Sequence, residues 1–354
     1  MIIGTCGFGS TGSSVVTDYL KEYDQIKVMD DFEFTWVSKT DGLIDLERAV
    51  MDPFSRTGSM VAIRRFQKLA KKVENAYAIN GLPRKEFSKI VARFINAITT
   101  TKWDWYNEEF TSRYTPKYVL SFIMKKKVIP KAEVKLGHQV KWWPLKEVRI
   151  SVHPENFYTE ASRMVDSMLK AMGVGRSKII AIDQPFSGNN PQACFPFFKD
   201  PYAVVVDRDP RDVYVFAKTK LLGKNHFMAV DPVESFIAYY RALRKDQPYL
   251  QPNDRVLRIR FEDMVYEYDK TSAKLREFLK LPENPHPKSI FDPAVSMANT
   301  QVFRRYPQYE KEIKKIEKAL PEYLFDFSDY PEPDPNAKMF WGKSPLNPGK
   351  QRKQ

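Results

Sequence analysis

Five short runs rich in apolar residues mark this chain, and each stops at a polar or charged turn. Met1 to Cys6, Ile26 to Met29, Lys178 to Ile182 and Ala203 to Val206 read as buried strands, and Arg255 to Arg260 alternates as a strand does. Between them lie stretches with apolar residues three and four apart: Val15 to Leu20, Val61 to Ala78, Phe87 to Ile98, Thr271 to Leu279 and Tyr309 to Tyr323. That spacing predicts amphipathic helices. Buried strands interleaved with helices predict an α/β fold around a mostly parallel sheet.

The turns carry the candidate chemistry. The first run leads into Gly7-Phe8-Gly9-Ser10-Thr11-Gly12-Ser13-Ser14 and then a helix. Strand, glycine-rich turn and helix together aim backbone N–H groups and a helix N-terminus at a phosphate or sulfonate. Gly7, Gly9 and Gly12 allow close approach, and the hydroxyls of Ser10, Thr11, Ser13 and Ser14 add donors. The spacing from Gly7 to Gly12 fits a nucleotide-phosphate loop, but Ser13 occupies the place of the phosphate-clamping lysine.

The run Ala203 to Val206 ends in Asp207-Arg208-Asp209-Pro210-Arg211-Asp212. Charges at the end of a buried strand lie at the C-terminal edge of the sheet, where open α/β folds bind ligands. An ion pair between Arg208 and Asp212 at a helix start is the alternative use of these residues. The segment resembles the 3′-phosphate-binding strand and turn of the sulfotransferases, an apolar strand followed by Arg-x-Pro-Arg-Asp-Val. Those enzymes move a sulfuryl group from 3′-phosphoadenosine 5′-phosphosulfate (PAPS) to an acceptor hydroxyl or amine. The resemblance covers residues 1–45 and 176–325 and is to the bacterial and Golgi carbohydrate type. It implies a three-layer α/β domain over 1–327 with a P-loop-like nucleotide-binding core. It further implies PAPS as co-substrate, no metal, donor phosphates on Gly7–Ser14 and Arg208, and a glycan or glycolipid hydroxyl as acceptor.

Two carboxylates compete for the role of base. Lys178 to Ile182 runs into Asp183-Gln184-Pro185, where the resembling cytosolic enzymes carry Lys-Thr-His-Leu-Pro with a histidine base. Aligning the prolines puts Asp183 at the histidine position, and a positioned carboxylate can accept a hydroxyl proton. Asp183 also suits turn initiation before a proline. Ile26 to Met29 is followed by Asp30-Asp31-Phe32-Glu33-Phe34, and carbohydrate sulfotransferases use a glutamate just after this strand. Burial between Phe32 and Phe34 would raise the Glu33 pKa, and Glu33 is the preferred candidate.

Arg255 to Arg260 ends in Phe261-Glu262-Asp263-Met264-Val265, like the family's Tyr-Glu-Asp-Leu-Val, and Glu262 and Asp263 are expected to be structural, for instance by pairing with Arg208 or Arg211. Arg304, with Arg305 as its rival, is expected to close over the nucleotide. Two departures stand out. Ser10 replaces the family's loop lysine or arginine, and Phe216 replaces a 3′-phosphate serine eight residues after Arg208. Lys218 or Lys220 is expected to supply the missing charge.

The 354-residue chain has a net charge of +13. Residues 61–150 hold 20 Lys and Arg against 7 Asp and Glu, an excess equal to that of the whole chain. This stretch, with Trp103, Trp105, Trp142 and Trp143, reads as a basic helical insertion over 45–150 that selects an anionic sugar-bearing acceptor or meets an anionic lipid surface. No nucleic-acid-binding signature accompanies the charge. No leader or 18-residue apolar run is apparent, and two cysteines give no disulfide framework, so a cytoplasmic protein is expected. Four histidines show no metal-ligand spacing, His226 being the one nearest the Arg208 turn. Residues 328–354 form a Pro-rich tail expected to wrap the surface or fray. A P-loop kinase-like protein, with Asp207 as its metal-binding carboxylate, and a catalytically lapsed binding protein on the same fold are the alternatives.

Overall fold

A computed structural model describes residues 1–52, 55, 57–105, 116–138, 146–174, 177–220, 228–247 and 250–340. His226, Trp142, Trp143 and the side chains of Trp105 and Lys220 lie outside the described residues. The chain divides into two compact units, residues 1–39 with 165–354 and residues 40–164. The described residues form seven strands: β1 Ile2–Cys6, β2 Ile26–Met29, β3 Thr101–Trp105, β4 Lys146–Ile150, β5 Ile179–Asp183, β6 Pro201–Asp207 and β7 Val256–Arg260.

The first unit is an α/β fold built on a five-stranded parallel sheet in the order β2-β5-β1-β6-β7. Every residue of β1 is buried, as are the first six of β6, whereas β2 and β7 at the edges are only partly covered. This is why the central strands read as unbroken apolar runs and the edge strand β7 alternates. Val204 and Val206 are fully buried, each contributing about 1.5–3 kcal/mol through its removal from water. They pack with Val16, Tyr19 and Leu20 of the helix Ser14–Leu20, and with Met264, Leu275 and Leu279 of the helices Phe261–Tyr266 and Tyr268–Leu279. A second cluster joins Val213, Phe236, Tyr240 and Ile316 from the helices Pro210–Lys220, Val233–Ala242 and Glu310–Ala319.

Asp207, at the end of β6, does not resemble a metal-binding carboxylate. Arg244 Nε donates to its Oδ2 (2.8 Å) and Nη2 to its Oδ1 (2.6 Å). The Arg244 guanidinium lies 4.1 Å from the Phe8 ring and 3.4 Å from that of Tyr240, and its side chain is only 1% exposed. The pair is thus a strut beneath the sheet edge, and both carboxylate oxygens are occupied.

The second unit contains the helices Leu43–Met51, Gly58–Ile79 and Arg84–Ile98, and a further helical stretch from Pro116 to Leu136. It is not purely helical. β3 and β4 pair antiparallel, with Trp103 opposite Val148, where helices alone were expected. The signal is the period-two alternation in Lys146-Glu147-Val148-Arg149-Ile150, obscured by the surrounding helical spacing. Of the tail, residues 328–340 lie along the first unit: Gln301 Nε2 donates to Pro331 O (2.8 Å), and Arg305 Nη1 to Ala337 O (2.9 Å). Among the described residues no helix is long and apolar enough to cross a membrane.

Removing one member of a buried ion pair strands the other charge, at a cost of about 3–5 kcal/mol. Asp207→Ala should therefore lower the stability of the first unit by about 3 kcal/mol or more in urea unfolding. A loss within the range of an exposed pair, about 0–1 kcal/mol, would show the strut to be dispensable.

Candidate active site

Three strand ends of the first unit meet around a cleft of about 810 Å³. β1 supplies the loop from Gly7 onward, β5 supplies Asp183 and Gln184, and β6 supplies Arg208. Parallel strands place all three at their C-terminal ends.

The loop is held from within and from both neighbouring strands. Phe8 N donates to Thr11 Oγ1 (3.1 Å), and Val15 N to Gly12 O (3.1 Å) as the helix begins. Gly12 has φ +81°, and a Cβ there would lie 2.6 Å from the Phe261 ring, so both backbone and space demand glycine. Ser10 also adopts a left-handed φ of +57°, uncommon for a residue with a side chain. Arg208 Nη1 donates to Ser10 O (3.2 Å) and so supports that conformation.

Gln184 was not singled out by sequence, yet it bridges the loop from the β5 side. Gly7 N donates to its Oε1 (3.2 Å), and its Nε2 donates to Ser13 Oγ (2.9 Å). Its position beside Asp183, in a turn before Pro185, was the available signal.

Arg208 is buried, 3% exposed, and Nη2 also donates to Asn299 O. Its guanidinium lies 5.2 Å from the Phe216 ring and 4.9 Å from that of Phe261. Phe216 thus contributes an aromatic face that holds the arginine. Asn299 ties in the tail, since Phe340 N donates to its Oδ1 (3.1 Å) and its Nδ2 donates to Phe340 O (3.0 Å). Phe340 lines the same cleft.

The turn after Arg208 buries a cluster of carboxyl groups. Asp209 accepts from Arg211 Nε (3.0 Å) and Nη2 (2.8 Å), while its own N–H donates to Glu262 Oε1 (2.9 Å). Glu262 therefore braces the turn backbone and makes no hydrogen bond to Arg208 or Arg211. Asp263 accepts from Arg260 N (3.2 Å) as a helix cap and does not pair with either arginine. Burial, then the nearby Asp209 charge, pushes the Glu262 pKa up to about 8. Burial likewise raises that of Asp212, opposed by Arg208.

Both candidate bases line the cleft. Asp183 is half-buried at the end of β5, and Thr5 Oγ1 donates to its Oδ1 at 3.5 Å. Glu33 is exposed, not buried between two rings: Phe34 turns inward, its N–H donating to Asp183 O (2.9 Å), and carries the adjacent Glu33 outward. The desolvation that favoured Glu33 over Asp183 is therefore missing.

Two expected ligands point elsewhere. Lys218 does not line the cleft; it pairs with Asp231 (2.5 Å), near the rings of Tyr214 and Tyr309. Arg304 pairs with Glu332 of the tail and is also outside the cleft. Among the described lining residues Arg208 is the one cation, so the guanidinium that contacts the loop comes from the β6 turn itself. No group of three or more metal-ligating side chains occurs among the described residues.

No protein-family model matches the chain, and no curated protein matches it. The similar solved structures include a sulfotransferase domain from the curacin biosynthetic pathway, 10% identical over 81% of this chain and 75% of that one, with a TM-score of 0.36. Sulfotransferase STF1 from Mycobacterium tuberculosis H37Rv is 10% identical over 91% of this chain and 76% of its own, with a TM-score of 0.37. Sulfotransferase STF9 from Mycobacterium avium is 11% identical over 92% and 76%, with a TM-score of 0.36.

A carboxyl with a raised folded-state pKa binds its proton more tightly folded than unfolded, so stability declines as it ionises. For Glu262 that window runs upward from 4.5 toward about 8. Glu262→Gln keeps the acceptor for Asp209 N–H and removes the charge. Its urea midpoint should match the parent at the acid end and exceed it increasingly as pH rises to the upper end. Parallel curves across the window would contradict the raised value.

Proposed function

We propose that this chain transfers a sulfuryl group from PAPS to a hydroxyl of a glycan or glycolipid. The observation that carries the reading is the meeting, in one cleft, of the amide- and hydroxyl-rich loop, a buried arginine and three carboxylates, those of Asp18, Glu33 and Asp183. A doubly phosphorylated donor suits this set. Ser10 Oγ and Arg208 Nε are buried donors that no protein acceptor satisfies, and orphaned donors beside a loop of this shape favour an anion. In this reading the loop from Gly7 to Ser14 holds the phosphosulfate end and Arg208 the 3′-phosphate. Either Asp183 or Glu33 accepts the hydroxyl proton. The chain's contribution is mostly positioning and fixed charge, since transfer between oxygens is in-line. The positive excess and tryptophans of residues 61–150 suit an anionic, sugar-bearing acceptor. Nothing in the cleft favours ATP chemistry: Asp207 is clamped by Arg244, and no lysine occurs among the described lining residues.

Adenosine 3′,5′-bisphosphate should raise the thermal midpoint, while ATP with Mg²⁺ should not. Loss of a charge-assisted bond of about 1.5–3 kcal/mol predicts that Arg208→Ala weakens bisphosphate binding at least about tenfold. Arg208→Lys, which keeps the charge, controls for the loss of its bonds to Ser10 and Asn299. Stabilisation by ATP and Mg²⁺ alone would overturn the assignment.

Asp183→Asn and Glu33→Gln separate the two bases. Whichever is the base should lose about 10²–10⁴-fold in turnover while bisphosphate binding persists. Full activity in both variants would remove carboxylate base catalysis from the reading.

A further inference from the structure

The ten large apolar side chains left exposed among the described residues all fall between Ile79 and Tyr158, within the second unit. Six of them, Val119, Leu120, Ile123, Val128, Val134 and Leu136, sit on the single helical stretch Pro116 to Leu136. Leu120 is 61% exposed, Leu136 56% and Val134 86%. The same stretch carries six lysines against one acid, Glu133. The helix widens by one turn at Met124–Val128, just before Pro130, whose ring would collide with a carbonyl four residues back in a regular helix. It ends at Gly137 in the left-handed conformation.

Exposed aliphatic side chains interleaved with lysines define a surface that water alone does not suit. A polyanion such as duplex DNA would engage the lysines and leave the valines and leucines in water. An anionic lipid surface engages both, lysine ammonium groups with headgroups and aliphatic side chains with the acyl boundary. We infer that the stretch Pro116 to Leu136 docks this protein on anionic membrane surfaces, lying in the interface rather than spanning it. The inference stands on this surface alone and is independent of the chemistry of the cleft.

Sedimentation of the full chain with vesicles tests it. Vesicles of phosphatidylcholine with phosphatidylglycerol should bind at least about tenfold more tightly than phosphatidylcholine alone, the gain falling with salt. Two variants separate the contributions, and neither changes a buried side chain. Lys127→Glu/Lys131→Glu/Lys135→Glu should lose about tenfold or more on the mixed vesicles. Leu120→Asn/Val134→Asn, with its charge unchanged, should lose about fivefold or more. Unchanged thermal midpoints confirm that both variants are folded. Failure of the parent to bind mixed vesicles would overturn the inference. So would binding by the Leu120→Asn/Val134→Asn variant as tight as the parent's, which would reduce the surface to a general polyanion patch.

Discussion

The buried guanidinium of Arg208 is the interaction on which the first unit's cleft depends. It leaves the end of β6, donates to Ser10 O in the loop after β1, and donates to Asn299 O far along the chain. Through Asn299 it is coupled to Phe340 and the tail. Phe216 and Phe261 flank the charge with ring faces, replacing part of the water it has lost. One cation therefore fixes the conformation of a strained loop residue, anchors the C-terminal segment and supplies the positive charge of the cleft. A charge buried so fully is stable only where acceptors surround it, which explains the density of polar groups at this edge.

The carboxyl groups behind the cleft have a complementary role. Asp207 is neutralised by Arg244 and Asp209 by Arg211, while Glu262 lies deep enough for its proton to be retained near neutral pH. Acidic side chains are numerous in this turn, but their charge is paired or suppressed rather than presented to the cleft. At the loop, Arg208 and the backbone amides favour an anion, while the Asp18, Glu33 and Asp183 carboxylates line the same cleft.

Support for Asp183 differs from support for Glu33. Asp183 ends a strand buried in the middle of the sheet, and its neighbour Gln184 grips the glycine-rich loop at Gly7 and Ser13. Glu33 projects from an irregular segment whose anchoring is done by buried Phe34 and Trp36. Groups on rigid elements hold catalytic geometry more closely than groups on loops.

Much of the sheet was legible in the sequence, because burial on both faces forces continuous apolar runs: Ile26 to Met29 coincides with β2, and Ala203 to Val206 lies inside β6. The glycine-rich turn and the charged turn were legible for a related reason, since each must follow a strand at one sheet edge. What local pattern could not convey is direction. Lys218 follows the Arg208 turn closely in sequence, but the helix carrying it turns its ammonium toward Asp231, and the charge that reaches Ser10 comes from Arg208. The burial expected at Glu33 went to Phe34, one residue on, and β3 and β4 find each other across more than forty residues of sequence. Spacing along a chain records which faces are apolar. Which charge meets which carbonyl is decided only when distant segments pack and each buried polar group must find a partner.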